Sequence, residues 1–414
     1  MAITEAEKIT IKEAVQIASK SNIDIQSARL ELAVEKNNIK AANRLQNPGV
    51  GVFYNFGKAG KGNPQQVGLS QTVELGKRTT RKQLAQAEYN LAKENAEYLE
   101  TDLRMDVREA YTNLLAKKSV LKTLQDEETL LNKLVTTAQN KYNQKKVDEI
   151  DVLQSQLLLN QVKTEVNTAK YEVKTALYDF NKVINVPNAF YDTVEDSFTK
   201  EYKPLLIPSP DAKMPDFADI EASAMSNRND IKIAKEKVHV AEKNLKNVLR
   251  QRVPDIDVEG GYSYQNPGQS GGEPFMHGAY VSASLVNIPL LYNYTPEIKI
   301  AKIKLEQAQL DYKSVENKAS NDVKKAYEKF LTAQVNLRYY SEDLLANSKQ
   351  LIKASRQTYR EDKIDLTTLV TMEESYRMII IAHTYALADY YNAWNFFIRE
   401  VNNENFSVEN ISDL

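Results

Sequence analysis

Two hydrophobic periods alternate along the chain. In GVGVFYNFGKAGKGNPQQVGLSQTVEL, starting at Gly49, apolar residues fall on every second position. Val50, Val52, Tyr54 and Phe56 share one face, with Gly49, Gly51, Phe53 and Asn55 on the other. Further on, Val67, Leu69, Val73 and Leu75 are set against Gln66, Gly68, Ser70, Thr72 and Glu74. Period two predicts strands over about 49–56 and 66–75 whose faces meet different media. The pattern returns over about 255–264 and 279–288. There Ile256, Val258, Tyr262 and Tyr264 oppose Asp255, Asp257, Glu259 and Ser263, and Val281, Ala283 and Leu285 oppose Tyr280, Ser282 and Ser284. The connections, GKAGKGNPQQ and QNPGQSGGEPFM, are polar and rich in Gly and Pro, as exposed hairpin loops are.

Outside these runs the period is helical. The stretches 77–141 and 297–362 contain neither Pro nor Gly. At ~1.5 Å per residue, each predicts an uninterrupted helix of roughly 100 Å. Thr295-Pro296-Glu297 reads as a start signal: a Thr cap, Pro in the first turn, then an acid. Leu84, Leu91, Tyr98 and Met105 recur every seventh position, and Ala301, Leu305, Ala308, Tyr312, Val315 and Ala319 follow a three-four pattern. These apolar seams are narrow, and the faces between them are polar. Such helices pack on neighbours yet keep a wet side, which suits a wall with water on both sides better than a solid core.

The chain also repeats itself. NIDIQSARLELAVEKNNIKAANRLQNP resembles NDIKIAKEKVHVAEKNLKNVLRQRVP, with Asp24 and Pro48 recurring as Asp230 and Pro254. REAYTNLLAK around Tyr111 matches KKAYEKFLTA around Tyr327, and KYNQKKVDEIDVL around Tyr142 matches TYREDKIDLTTLV around Tyr359. One unit (helix, strand, strand, very long helix, turn, helix) is used twice, over 1–207 and 208–414. The join is a proline-rich stretch, 185–215.

Composition narrows the function classes. The 414 residues carry a formal net charge of −2, against a nucleic-acid partner. Cysteine is absent, which excludes disulfides, a thiol nucleophile and a cysteine-ligated metal. No run approaches the roughly 18 apolar residues of a transmembrane helix. MAITEAEKIT lacks an apolar signal region, so the chain is either cytosolic or a mature form with an added initiator Met. His239, His277 and His383 are scattered, and no P-loop, G-x-S-x-G or H-E-x-x-H occurs. Neither enzyme activity, a cofactor nor a metal site is expected. Adjacent acids such as Glu373 and Glu374 read as ordinary residues of an exposed helix.

Four strands cannot close a barrel, and lipid does not tolerate an open sheet edge. Strands of this length and alternation therefore call for several chains: two would supply eight strands and three would supply twelve. In order and duplication, LSQTVELGKRTTRKQLAQAE, REAYTNLL with KKAYEKFL, KYNQKKVDEIDVLQSQ and the paired N-I-D-I and N-D-I stretches resemble the TolC-like outer-membrane efflux family of Gram-negative bacteria. The resemblance covers about 9–403. It implies a mainly α fold with a small β part, in which long antiparallel helices form a periplasmic tunnel and each chain adds four strands to a trimeric twelve-stranded barrel. It implies a passive exit duct of a tripartite efflux or type I secretion system. The implied partners are a homotrimer, outer-membrane lipid, a periplasmic adaptor and an inner-membrane pump of the RND or ABC kind. Val50, Val52, Tyr54, Phe56, Val67, Leu69, Val73, Ile256, Val258 and Tyr262 would then face lipid.

Both repeats share Tyr-x-x-x-Lys-(Val/Ile)-Asp: Tyr142, Lys146 and Asp148, then Tyr359, Lys363 and Asp365. In the family this is the turn at the narrow periplasmic tip, where glycine usually stands three residues after the aromatic. Lys145 and Asp362 occupy those positions here. Thr368 and Thr371 stand where some relatives carry an acidic ring, whereas Asp151 keeps an acid in the first repeat. Asp148, Asp151 and Asp365 are candidates for a cation-selective entrance. Acids favoured at helix starts account for them equally. Lys77, Arg78 and Arg81 begin the first long helix, where cations oppose the helix dipole; they are candidates for lipid headgroup contact, with a solvated face as the alternative. Tyr111, Tyr327 and Trp394 read as packing residues. A soluble coiled-coil scaffold or adaptor is the competing function, although it leaves the alternating strands unexplained.

Overall fold

In a computed structural model of the chain, residues 6–54, 64–198, 202, 207–212, 214–265 and 277–403 are described. Their first half runs β1 (Glu7–Ile9), α1 (Ile11–Ser21), α2 (Ile23–Ala42), β2 (Gly49–Tyr54), β3 (Pro64–Val73), α3 (Lys77–Asn143), α4 (Glu149–Ile184) and β4 (Tyr191–Thr193). The second half runs α5 (Phe217–Asn227), α6 (Asn229–Arg250), β5 (Asp255–Gln265), β6 (His277–Val286), α7 (Thr295–Tyr339), α8 (Glu342–Arg360) and α9 (Leu366–Val401). The fold is mainly α with a small β part.

Several elements differ from their predicted form. The helix opening each repeat is two helices, jointed at Asn22 and at Arg228. Asn22 accepts from the amides of Asp24 (2.7 Å) and Ile25 (3.3 Å) and donates to the carbonyls of Val183 (3.1 Å) and Ile184 (2.9 Å). Arg228 bonds the Glu400 carbonyl (3.1 Å) and carboxylate. The predicted helix over 297–362 breaks after Tyr339. Ser341 caps α8 by accepting from the Leu344 amide (3.3 Å), and Glu342 and Asp343 follow in its first turn. Thr295 lies inside α7, its hydroxyl bonded to Asn293 Oδ1 (2.5 Å) instead of capping the helix. β3 and β6 each begin two residues earlier than predicted, and Leu75 lies beyond β3. Phe56 falls outside the described residues.

The chain forms two compact units, each drawing on both halves. The first comprises Met1–Ala28, Glu97–Asn229 and Glu316–Leu414. One core within it gathers Phe330, Trp394 and Phe397, with the Phe330 and Trp394 rings 4.9 Å apart. Another surrounds Tyr111, Leu114, Phe180 and Ile184. Here β1 and β4 pair in parallel, Ile9 opposite Thr193, and were not predicted from the sequence. The Tyr111 hydroxyl joins this pair to α3 through the Ile9 carbonyl (3.1 Å) and the Glu195 carboxylate.

The second unit, Arg29–Ala96 with Asp230–Val315, holds one sheet in the order β2-β3-β5-β6, antiparallel throughout. Its central β3–β5 pair joins the two halves of the chain. The α7 seam follows its predicted spacing: Ala301 and Ala319 are buried and Leu305, Ala308, Tyr312 and Val315 half-buried. On α3, Met105 is buried, Leu84 and Leu91 are half-buried and Tyr98 is exposed.

Candidate functional site

Directly opposed residues of an antiparallel pair point to the same side of a sheet. Val50 faces Leu69, and Val52 faces Val67. Val67 in turn faces Tyr262, and Val73 faces Ile256. Ile256 pairs with Leu285, Val258 with Ala283, and Gly260 with Val281. The register therefore collects one apolar face, which also carries Tyr54. All its large apolar side chains are exposed except the half-buried Ile256 and Tyr264. Ser70, Thr72, Asp257, Glu259, Ser263, Ser282 and Ser284 occupy the other face, where the Thr72 hydroxyl donates to Asp257 Oδ1 (2.9 Å). Gly68 and Gly261 stand opposite each other at its centre. A Cβ on Gly261 would lie 2.2 Å from the Val67 carbonyl, and one on Gly68 would meet the Tyr280 hydroxyl at 2.5 Å. The glycines leave room for Tyr280, which donates to Glu259 Oε1 (2.6 Å). An apolar face of this extent exposed on a β-sheet is an interaction surface. No helix among the described residues is long and apolar enough to cross a membrane.

The basic cluster after β3 finds partners within the chain. Lys77 is buried and paired with Asp255 Oδ2 (2.7 Å), which neutralises a cation at the start of α3. Arg78 Nε donates to the Asn43 carbonyl (2.7 Å). Arg81 binds both Glu74 oxygens (2.8 and 3.0 Å) and also reaches the carbonyls of Ala42 (2.8 Å) and Arg44 (3.2 Å). Headgroup contact by Lys77 is therefore corrected to an internal ion pair, because burial leaves the ammonium no open side. Arg78 and Arg81, half-buried, hold the α2–β2 connection against α3.

Within the first unit, two turns share one geometry. α3 ends with Lys145 donating its amide to the Tyr142 carbonyl (2.8 Å) and Lys146 to Lys141 (2.9 Å). α8 ends with Asp362 donating to Tyr359 (3.2 Å) and Lys363 to Thr358 (3.0 Å). These are Schellman turns, whose pivotal residue takes left-handed backbone and is usually glycine. Lys145 at φ 60° and Asp362 at φ 59° adopt it nonetheless. Absence of glycine has not changed the turn.

The side chains of the two turns differ. Tyr359 is 2% exposed and Tyr142 40%. Burial and the nearby Asp151 and Asp362 push the Tyr359 hydroxyl up to about 12. Between the turns lies Lys141, which motif reading missed. It is buried and sits 4.0 Å from the Tyr359 ring centre, donating to the Tyr359 carbonyl and pairing with Asp362 Oδ1 (2.6 Å). Lys146 reaches Asp362 Oδ2 at 3.6 Å, and Lys363 pairs locally with Glu361 (2.7 Å). The only sequence signal for Lys141 was its place beside the repeated tyrosine. Asp365 caps α9 by accepting from the Thr368 amide (2.7 Å), and the Thr368 hydroxyl and then this amide lower its pKa, whereas Asp148 holds the equivalent position on α4 without a cap bond. Burial, then the charges of Asp148 and Asp365, raise that of Asp151. Asp148 and Asp365 thus each lie within electrostatic reach of Asp151.

Farther along the same helices is a buried charge network. Glu373, read from sequence as an exposed acid, is buried and held by Arg356 through two 2.6 Å bonds. Arg356 also lies 3.8 Å from Glu127, and Arg377 lies 3.6 Å from Glu165. Burial, then the Glu373 charge, push Glu127 up to about 7 against the pull of Arg356 and Arg377. No periodicity argument distinguishes such acids from solvated ones.

Comparison with known proteins places this geometry in context. The pattern of the outer membrane efflux protein family matches residues 14–185 and 222–371, most of the chain. Among solved structures, a membrane protein from Pseudomonas aeruginosa is similar at 14% identity, with 94% of this chain and 93% of that one covered and a TM-score of 0.76. The Campylobacter jejuni CmeC outer membrane channel aligns at 13% identity, 99% and 92% coverage and TM-score 0.74. The open state of the Neisseria gonorrhoeae MtrE outer membrane channel aligns at 15% identity, 97% and 93% coverage and TM-score 0.68. No curated protein matches. At these identities the structures speak for the fold alone, and the family is carried by the sequence pattern: the chain belongs to the outer membrane efflux proteins.

Proposed function

We propose that three copies of this outer-membrane efflux channel close their sheets into one twelve-stranded barrel. The observation that carries this reading is the sheet itself: one face is apolar and exposed, and β2 and β6 are edge strands of a four-stranded order. Hydrocarbon cannot satisfy those edges, so the sheets of neighbouring copies must. Val50, Val52, Tyr54, Val67, Leu69, Val73, Ile256, Val258 and Tyr262 would then face lipid, and the Ser, Thr and acidic face would line water. A solvated scaffold would leave the same apolar face in water. Each chain would supply two copies of the structural repeat, over 1–207 and 208–414.

The channel acts as a passive duct without catalysis, coupled to a periplasmic adaptor and an inner-membrane pump of the RND or ABC kind. Its tips open by separating the α3–α4 turn from the α8–α9 turn, which Lys141 and Asp362 tie together. Native mass measurement of detergent-solubilised protein tests the assembly: about 141 kDa, three times the 47.0 kDa chain, is expected. A monomer that stays soluble without detergent would overturn the barrel. Around the tip, Asp148, Asp151 and Asp365 form a cation-selective entrance. Single-channel recordings with all three changed to Asn are expected to lose cation preference, and an unaltered reversal potential would reject that role.

A further inference from the structure

Between β6 and α7 the chain makes a short connection, 287–294, that the duct reading leaves without a role. Its ends are braced. Asn287 and Tyr294 stand in left-handed backbone at φ 57° and 58°. Asn287 Nδ2 donates to Asp255 Oδ2 (3.0 Å), and Arg252 donates to the Asn293 carbonyl (2.6 Å) and the Thr295 hydroxyl (3.1 Å). The Tyr292 hydroxyl bonds Glu297 Oε1 (2.6 Å), and its ring meets that of Tyr294 edge-on at 5.5 Å. Between these tethers Leu290 is 83% exposed and Leu291 fully exposed. Two adjacent leucines are thus held outward by a connection whose polar ends are tied down.

Their position indicates what covers them. β6 carries Val281 and Leu285 on the apolar sheet face and leads directly into this connection, at the end where the strands hand over to helices. In a channel with a periplasmic tunnel, that is the periplasmic edge of the membrane. An apolar tip beside two tyrosines and an arginine matches the layering of a bilayer boundary: acyl chains, then an aromatic belt, then anionic headgroups. The corresponding turn from β3 to α3 carries no such pair. Gly76 stands there at φ 82°, and Arg250 fastens the Leu75 carbonyl (2.7 Å).

We infer that Leu290 and Leu291 are a lipid anchor that enters the acyl layer of the periplasmic leaflet, with Tyr292 and Tyr294 at headgroup level. This rests on the barrel reading. Because the chain has no cysteine, Leu290→Cys, Leu291→Cys and Val281→Cys each give a unique site for a nitroxide label. With the full chain in vesicles of phosphatidylethanolamine and phosphatidylglycerol, collision rates with oxygen and with a water-soluble nickel chelate report the surroundings of each label. A several-fold excess of oxygen over nickel collisions is expected at 290 and 291, as at 281 on the sheet. Nickel excess at 290 and 291 with oxygen excess at 281 would place the leucines in water and overturn the anchor alone. Suppression of both reagents at 290 and 291 would mean a second copy covers them, and would also overturn it. Nickel excess at 281 as well would remove the barrel reading, and the anchor with it.

Discussion

Lys145 and Asp362 hold the same left-handed backbone, yet glycine there should have opposite effects. Lys145→Gly removes the Cβ penalty at an exposed turn and is expected to stabilise by about 0.5–1 kcal/mol, read as a raised unfolding midpoint. Asp362→Gly relieves the same strain but strands the buried Lys141 without its carboxylate. A net loss of stability is expected, read as a lowered unfolding midpoint and moderated because Asp362 is half in water. Glu127 gives a pH dependence. Its folded value, about 7, lies above the ordinary 4.5, so between these values the folded chain binds a proton that the unfolded chain releases. Stability should therefore fall as pH rises through that window, by at most about 3 kcal/mol, and be level above it. Denaturant midpoints across the window should show this slope, and Glu127→Gln should flatten it. The repeated tyrosine and its Lys and Asp were legible in sequence because spacing alone defines a motif. Lys141, Glu127 and Glu373 were not, because burial of a charge depends on which helices meet it.

At the scale of elements, the β3–β5 pair depends on two glycines. Gly261→Ala pushes a methyl into the Val67 carbonyl, so the pairing must open or shift. The variant is expected to fail in barrel assembly while its helical content persists, measured by circular dichroism beside native mass. The α7–α8 break gives a gentler test: Ser341→Ala should cost about 1 kcal/mol through loss of the cap. The strands could be read almost to their ends because period two survives in the sequence. The break after Tyr339 carries no Gly or Pro, so the absence of helix breakers alone predicts continuity there. Ser341-Glu342-Asp343 is itself a start signal inside that stretch.

For the whole molecule, the register that joins β3 to β5 makes one continuous sheet from two distant hairpins. If three such sheets close the barrel, disrupting one edge strand should abolish the trimer without unfolding the first unit. Val281→Pro on the edge strand β6, which removes a backbone donor, is expected to leave a 47.0 kDa species with its helical cores intact. Retention of the trimer would show that β6 is not a seam between copies.

The sequence by itself determined the two hydrophobic periods and the family, since each depends on residue order along the chain. It also separated the two sheet faces, because alternation is a local property of a strand. Only the tertiary structure decided which charges are buried. Lys77 lies against Asp255 and Lys141 lies over Tyr359, across elements far apart in the chain, and Glu373 is clasped by Arg356 from the preceding helix. An ion's solvation depends on everything that surrounds it in space, and no one-dimensional pattern records those neighbours.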